Sequence, residues 1–359
     1  MFLTRLMRLS LAAYGLGTML MLVAMGIGRT LPAERILFLS SQEDTRRIYA
    51  MDIRQGLIHK TSDTLIAGAY SLSPDGQQIL YVQSVDNQLP TIFIMDADGK
   101  NRQQLVEQGI GPIWSPDSQS VVFNLVNKND GSSQISRINV DGTDRQALTD
   151  SASQGQLFPV GWSPDGIQLL FLGMRPGNQL NLYVMNAEGG ALSQLASEAQ
   201  FDTFMYPEWS PDNQYMGLVG QSVDHNRGDI TSHLCIEHLE SAGVECFDDN
   251  IAGPFAWSPD SASIAFITSD GFDIFEIDIL DVKTKEIRQV LRYGESTGVQ
   301  WVGFPIWTGD GQHLIYEFSK IANRYRDTQL HIINIDGSSE RNLTEGMPTS
   351  ILPSWWAGN

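Results

Sequence analysis

One short phrase, Trp-Ser-Pro-Asp, constrains this chain more than anything else in it. It begins at Trp114, Trp162, Trp209 and Trp257, appears without its Trp at Ser73-Pro74-Asp75, and recurs in altered form as Trp307-Thr308-Gly309-Asp310. The aspartates at 75, 117, 165, 212, 260 and 310 lie 42, 48, 47, 48 and 50 residues apart. Repeats of about 40 to 50 residues are the period of β-propellers, whose blades are four-stranded sheets.

The phrase is turn chemistry. Proline sets φ for the first central turn position, Asp follows it, and a left-handed residue comes next. Gly76, Gly166 and Gly311 suit that position; Ser118, Asn213 and Ser261 replace them in the other copies. Serine tolerates the left-handed region poorly, so the serine turns are expected to differ in detail. After each turn comes an apolar, β-rich run such as "QILYVQ", "SVVFNLV" or "SIAFITS". Such runs suit strands buried on both faces. A third run ("TIFIMD", "NLYVMN"), a Gly-bearing turn and a fourth strand ("RQQLVE", "RQALTD") complete the unit. The recurring Trp then falls on the innermost strand, where it fills space between blades.

The two ends fix the blade number. Residues 35–62 read as strands two to four, with no Trp-Ser-Pro-Asp before them. The closing stretch "ILPSWWAGN" reads as an inner strand, with Trp355 in register 48 residues after Trp307. The carboxyl-terminal strand is therefore expected to complete the first blade and close the ring, which leaves no free sheet edge. The expected fold is all-β, a seven-bladed propeller spanning 35–359. Six blades is the alternative if the split blade is misread.

The amino terminus is of another kind. Arg5 and Arg8 precede an uncharged stretch, 9–28. As a helix it would cover about 30 Å, the thickness of a bilayer's hydrocarbon core. The preferred reading is a signal-anchor transmembrane helix at 9–28, with 1–8 as a cytoplasmic tail and 29–34 as a short tether. A signal peptide cleaved near Ala24-Met25-Gly26 is the other reading. Either places the propeller outside the cytoplasm, on the periplasmic or outer side of the cell membrane. Cys235 and Cys246 are the only cysteines. Placed symmetrically about a turn, they are either a cross-strand disulfide, which an oxidising compartment permits, or two free thiols. Net charge is −19, from 23 Lys and Arg against 42 Asp and Glu, which argues against a nucleic-acid partner.

With the Trp-Ser-Pro-Asp-Gly turn, the apolar run and the Asp-Gly turn in view, the chain resembles the WD40-like propeller repeats of TolB-type proteins over residues 35–357. That resemblance implies the propeller fold and leaves function open. Its family includes periplasmic envelope proteins, propeller domains attached to peptidases, and polysaccharide lyases. TolB itself carries an α/β domain before a six-bladed propeller, and no residues here correspond to that domain.

Enzyme chemistry finds little footing. A hydrolase built on a Gly-x-Ser-x-Gly elbow needs a domain of its own, and the one such string here, Gly294-Glu295-Ser296-Thr297-Gly298, falls inside the propeller repeats. His59, His233, His238 and His331 fall on outer strands and His313 follows a turn, leaving His225 alone in a rim loop. The loops "DADGKN" and "NKNDGSS" lack the spacing of a calcium-binding loop. Catalytic residues, metal and cofactor are therefore expected to be absent. Function is expected on the rim opposite the uniform Ser-Pro-Asp turns, where the loops are long and unlike one another. Candidate interaction residues there are Arg46, Arg47, Lys128, Arg175, His225, Arg227, Arg324, Tyr325, Arg326 and Trp301, because Arg and aromatic side chains dominate interface hot spots. The expected role is a membrane-anchored, non-catalytic docking module for a protein partner in the cell envelope. The alternatives are a lyase-like enzyme acting on polysaccharide and a ligand-sensing ectodomain.

Overall fold

In the computed structural model of the chain, seven four-stranded antiparallel sheets follow one another along the sequence. The structure describes residues 35–42, 45–53, 55–61, 70–83, 89–150, 156–174, 180–195, 201–224, 229–240, 243–270, 274–294, 299–322, 325–348 and 350–354. The stretch assigned to the transmembrane helix lies outside them, as does Trp355. Blade 1 holds 35–60 together with Ser350–Ser354; blades 2 to 7 hold 70–107, 109–147, 156–194, 203–249, 256–293 and 299–342. The ring has seven blades, so the six-bladed alternative falls away.

The strand Ser350–Ser354 pairs antiparallel with Arg35–Gln42, setting Ser354 opposite Leu37 and Ile351 opposite Leu39. Ser71 opposite Leu80 is the corresponding pair of blade 2. Arg35 therefore stands where Gln78 stands, just past a Ser-Pro-Asp turn. The chain enters the propeller at the rim that carries those turns.

Second strands are buried on both faces because each blade packs against two neighbours. Six apolar clusters occupy the seams, one of them shared by blades 7, 1 and 2. One aromatic recurs at a single second-strand position: Phe38, Tyr81, Phe123, Phe171, Phe266 and Tyr316, all fully buried, with Leu218 in blade 5. Burying a ring of that size contributes about 1.5–3 kcal/mol, which makes the seams the main source of stability. The repeated Trp side chains also lie in the seams. Nε1 of Trp307 donates to the Ala256 carbonyl of the preceding blade at 3.0 Å, and Trp257 and Trp114 reach Glu208 and Ser71 in the same way at 3.4 and 3.5 Å. Nε1 of Trp162 and of Trp209 is buried without a partner, so packing places the tryptophans and the hydrogen bond is secondary.

The repeated turn is held by its serine and aspartate together. In blade 3, Ser115 Oγ donates to Asp117 Oδ1 at 2.5 Å and accepts from the Ser120 N–H at 2.9 Å, while Asp117 Oδ1 also accepts from the Gln119 N–H at 3.0 Å. The other five copies repeat the hydroxyl–carboxylate bond, with Thr308 in place of serine in blade 7. Contrary to the sequence expectation, the serine turns keep the common backbone: φ is 62° at Ser118 and 61° at Ser261, against 74° at Gly166. Contacts to the neighbouring blade explain this. Ser118 Oγ accepts from the Asp75 N–H at 3.0 Å, Ser261 Oγ accepts from the Asp212 N–H at 2.9 Å, and Asn213 Nδ2 donates to Asp165 Oδ2 at 2.8 Å. Each such bond offsets the left-handed strain by about 1 kcal/mol.

Candidate functional site

Second strands run from the Ser-Pro-Asp rim to the opposite rim, where they turn into third strands. In blades 2, 3, 4 and 6 these strands are six or seven residues long. In blade 5, Tyr215–Asp224 and Asp229–His238 have ten each, as do His313–Ala322 and Tyr325–Asn334 in blade 7. Three extra residues lift a hairpin by about 10 Å. Blade 6 lies between these two in the ring, so its described strands stop short of theirs and leave a notch between the longer strands of blades 5 and 7.

The walls carry a recognisable chemistry. On the blade 5 hairpin Val223 pairs with Ile230, which is 60% exposed, and Asp202 braces the hairpin by accepting from the Val223 N–H at 2.7 Å. On the blade 7 hairpin Ala322 pairs with Tyr325, Ile321 with Arg326 and Lys320 with Asp327. Lys320 is exposed, its Nζ 5.0 Å from the centre of the Phe318 ring. His225, Arg227 and Arg324 belong to the segments linking these strands and lie outside the described residues, as do Arg175 and the side chains of Arg46, Tyr325 and Arg326.

Among the remaining candidates, Lys128 is exposed, in a loop whose Asn127 and Asp130 side chains accept from the N–H groups of Asn129 and Ser132. Those oxygens serve the turn itself. Arg47 is half-buried, opposite Ser40, with Nε buried and unpartnered. Trp301 is half-buried and lies across its own strand: a Cβ on Gly303 would come within 2.1 Å of its ring. Phe204 is buried in the seam of blades 4 and 5, and Phe201 covers Gly220 beside it. These two aromatics are packing residues. Among the described residues the exposed large apolar side chains are Leu57, Ile167, Ile230 and Ile287; of these Ile230 stands on the blade 5 hairpin, and its setting beside Arg227-Gly228-Asp229 gives no apolar pattern to find it by.

Cys235 and Cys246 face each other across the third and outer strands of blade 5 and are joined as a disulfide, with Cα atoms 4.0 Å apart. Burial raises the carboxyl pKa of Glu237 on the same strand, and its Oε2 has no hydrogen-bond partner. In blade 6, buried Asp278 accepts from Thr268 Oγ1 at 3.1 Å. At the seam of blades 6 and 7, Glu340 Oε1 accepts from His331 Nδ1 at 2.8 Å, from the Tyr316 hydroxyl at 2.7 Å and from the Tyr293 hydroxyl. The imidazole and the two phenols hold its carboxyl down to about 2, against the opposing effect of its partial burial. Among the described residues, no three His, Cys, Asp or Glu side chains come together as a group able to hold a metal ion. The opposite rim holds an open groove of about 1010 Å³ over blades 1 to 3, lined by Asp52, His59, Lys60, Asp75, Asp98 and Ser118 among others.

No family model matches the chain. A curated relative, an uncharacterized protein of Agrobacterium fabrum, is 29% identical over 188 residues, 48% of this chain and 61% of that protein. The chain thus spans less than two thirds of that relative. A solved TolB from Acinetobacter baumannii aligns over 89% of this chain and 82% of its own, with a TM-score of 0.51 and 16% identity. The chain has the TolB-type propeller fold. A solved oligogalacturonate lyase in complex with manganese aligns over 85% of this chain and 87% of its own, with a TM-score of 0.64 and 13% identity. At such identities the likeness is one of fold.

Proposed function

We propose that this chain is a membrane-anchored, extracytoplasmic propeller that docks a protein partner of the cell envelope in the notch above blade 6, without catalysing a reaction. The pair of hairpins with ten-residue strands, flanking one with seven-residue strands, carries the reading. A regular scaffold with two irregular projections concentrates variable side chains in one place: the blade 5 projection carries exposed Ile230 close in sequence to His225 and Arg227, and the blade 7 projection carries Arg324, Tyr325 and Arg326 in sequence. Two further features support the compartment and the anchor. The Cys235–Cys246 disulfide suits an oxidising compartment, and the uncharged stretch 9–28 is long enough to span a bilayer.

A photo-crosslinking residue placed at Ile230 or at Lys320 in the full chain, in cells, should capture one envelope protein. The same residue at Gln119, on the other rim, should not. Equal capture from both rims refutes the notch. The second reading, a polysaccharide lyase, draws on the fold likeness to oligogalacturonate lyase. Release of unsaturated sugar products by the purified chain with added manganese would favour it over docking.

A further inference from the structure

The direction of one strand decides which way the propeller faces. We propose that the rim of Ser-Pro-Asp turns faces the lipid surface and the rim of long hairpins faces away from it. This rests on reading residues 9–28 as a membrane anchor.

The argument is one of reach. Arg35 starts the second strand of blade 1 at the level of Gln78, directly above the Ser-Pro-Asp turns. Six residues, 29–34, separate it from the end of the apolar stretch. Fully extended, six residues cover about 20 Å. A seven-residue strand such as Ser120–Val126 is about 23 Å tall. To bring the hairpin rim to the bilayer, the chain would have to climb the whole blade before entering it. It would also have to pass around two outer strands, about 10 Å more, because Arg35 is not on the perimeter. The tether is too short for that path, whereas the turn rim lies within its reach.

The rim set towards the membrane is acidic. It presents the turn aspartates Asp75, Asp117, Asp165, Asp212, Asp260 and Asp310, all exposed. The Ser258 hydroxyl holds the Asp260 carboxyl below its ordinary value, so that group stays ionised. Such a rim is repelled by anionic lipid within about one Debye length, roughly 8 Å at physiological salt. The propeller therefore stands off an anionic surface on its tether and settles closer to a zwitterionic one. The groove over blades 1 to 3 opens into that gap.

The test uses the full chain in vesicles of phosphatidylglycerol and phosphatidylethanolamine containing a nitroxide-headgroup lipid. A dye is attached at Gln119→Cys or at Lys128→Cys, exposed residues on opposite rims of blade 3; the native cysteines are bonded and take no label. The expected result is several-fold stronger quenching at 119 than at 128, increasing further when phosphatidylglycerol is replaced by phosphatidylcholine. Equal quenching at the two sites, or stronger quenching at 128, overturns the orientation while leaving the anchor intact. Failure of the chain to sediment with the vesicles overturns the anchor reading and the orientation with it.

Discussion

Replacing Gly99 by alanine should destabilise the protein far more than replacing Gly142, although the two glycines have the same backbone. Each closes the turn between the third and outer strands of its blade, each has a φ of 85°, and each N–H donates to the carbonyl three residues earlier. A left-handed alanine costs about 1–2 kcal/mol relative to glycine, and that cost is common to both. The difference lies in the neighbouring blade. A Cβ on Gly99 would lie 1.6 Å from the Thr61 carbonyl oxygen at the end of blade 1, whereas one on Gly142 would meet nothing within 4 Å. Ordinary carbon–oxygen contact needs about twice that separation, so turn and strand must move apart by more than an ångström. Thr61 has little freedom to yield, since its N–H and its hydroxyl both donate to the Ile48 carbonyl. Overpacking of this kind costs about 1–3 kcal/mol. The expected losses are therefore about 2–5 kcal/mol for Gly99→Ala and about 1–2 kcal/mol for Gly142→Ala. Gly337, with a φ of 83° and the Val290 carbonyl oxygen 2.6 Å from its would-be Cβ, should fall between them. Urea unfolding of the purified full chain, followed by tryptophan fluorescence, reads all three. If Gly99→Ala and Gly142→Ala agree within experimental error, the blade-to-blade contact is not what requires glycine, and the reasoning is wrong.

The serine at the left-handed position gives a second test: Ser118→Ala should cost about 1–2 kcal/mol by removing the bond to the Asp75 N–H while keeping the strain, whereas Ser118→Gly should be close to neutral in the same urea titration. Trp307→Phe loses a buried hydrogen bond that Trp162→Phe does not, so its midpoint should shift further, by the equivalent of about 1 kcal/mol. Glu340→Gln should cost about 1–2 kcal/mol at neutral pH after allowance for partial exposure. Its folded pKa, about 2, lies below the ordinary 4.5, so the contribution is complete above pH 4.5 and is lost as pH falls through 2. The stability gap between the two proteins, measured at pH 7 and pH 3, should shrink by about half; a gap that widens in acid would refute the assignment.

Much of this architecture could be read from the sequence because a propeller's grammar is local. Proline, aspartate and a left-handed residue in succession specify a turn without help from the rest of the chain, and Trp355 in register with Trp307 announced the closure. What could not be read depends on residues about one blade away. Nothing near Ser118 signals that its hydroxyl meets Asp75, since the two come together only when blades 2 and 3 stack. Of the two outer strands quoted from the sequence, "RQQLVE" forms Gln103–Glu107 whereas "RQALTD" keeps only Gln146–Ala147, so the run of residue types alone does not set how far an outer strand stays paired. The rim residues were gathered as a single face by loop length. Their grouping into a notch became visible only when the blade 5 and blade 7 hairpins proved longer than that of blade 6. Phe204 shows the converse, an aromatic in a blade-to-blade segment drawn into the seam by the apolar surface beside it.

The pairing of Ser350–Ser354 with Arg35–Gln42 also sets an order of events. Leu39 and Ile351 are 312 positions apart in the chain (351 − 39), and the ring cannot close until both have arrived. Contacts between such distant residues form late and slowly, because the entropy of so large a loop must be overcome before any pairing energy is gained. Until then Arg35–Gln42 presents an unpaired edge of "RILFLSSQ", an apolar sequence open to the wrong strand. If the proposed anchor holds, it keeps that edge beside the bilayer while blades 2 to 7 assemble. The arrival of five residues, Ser350–Ser354, then turns an open arc into a ring.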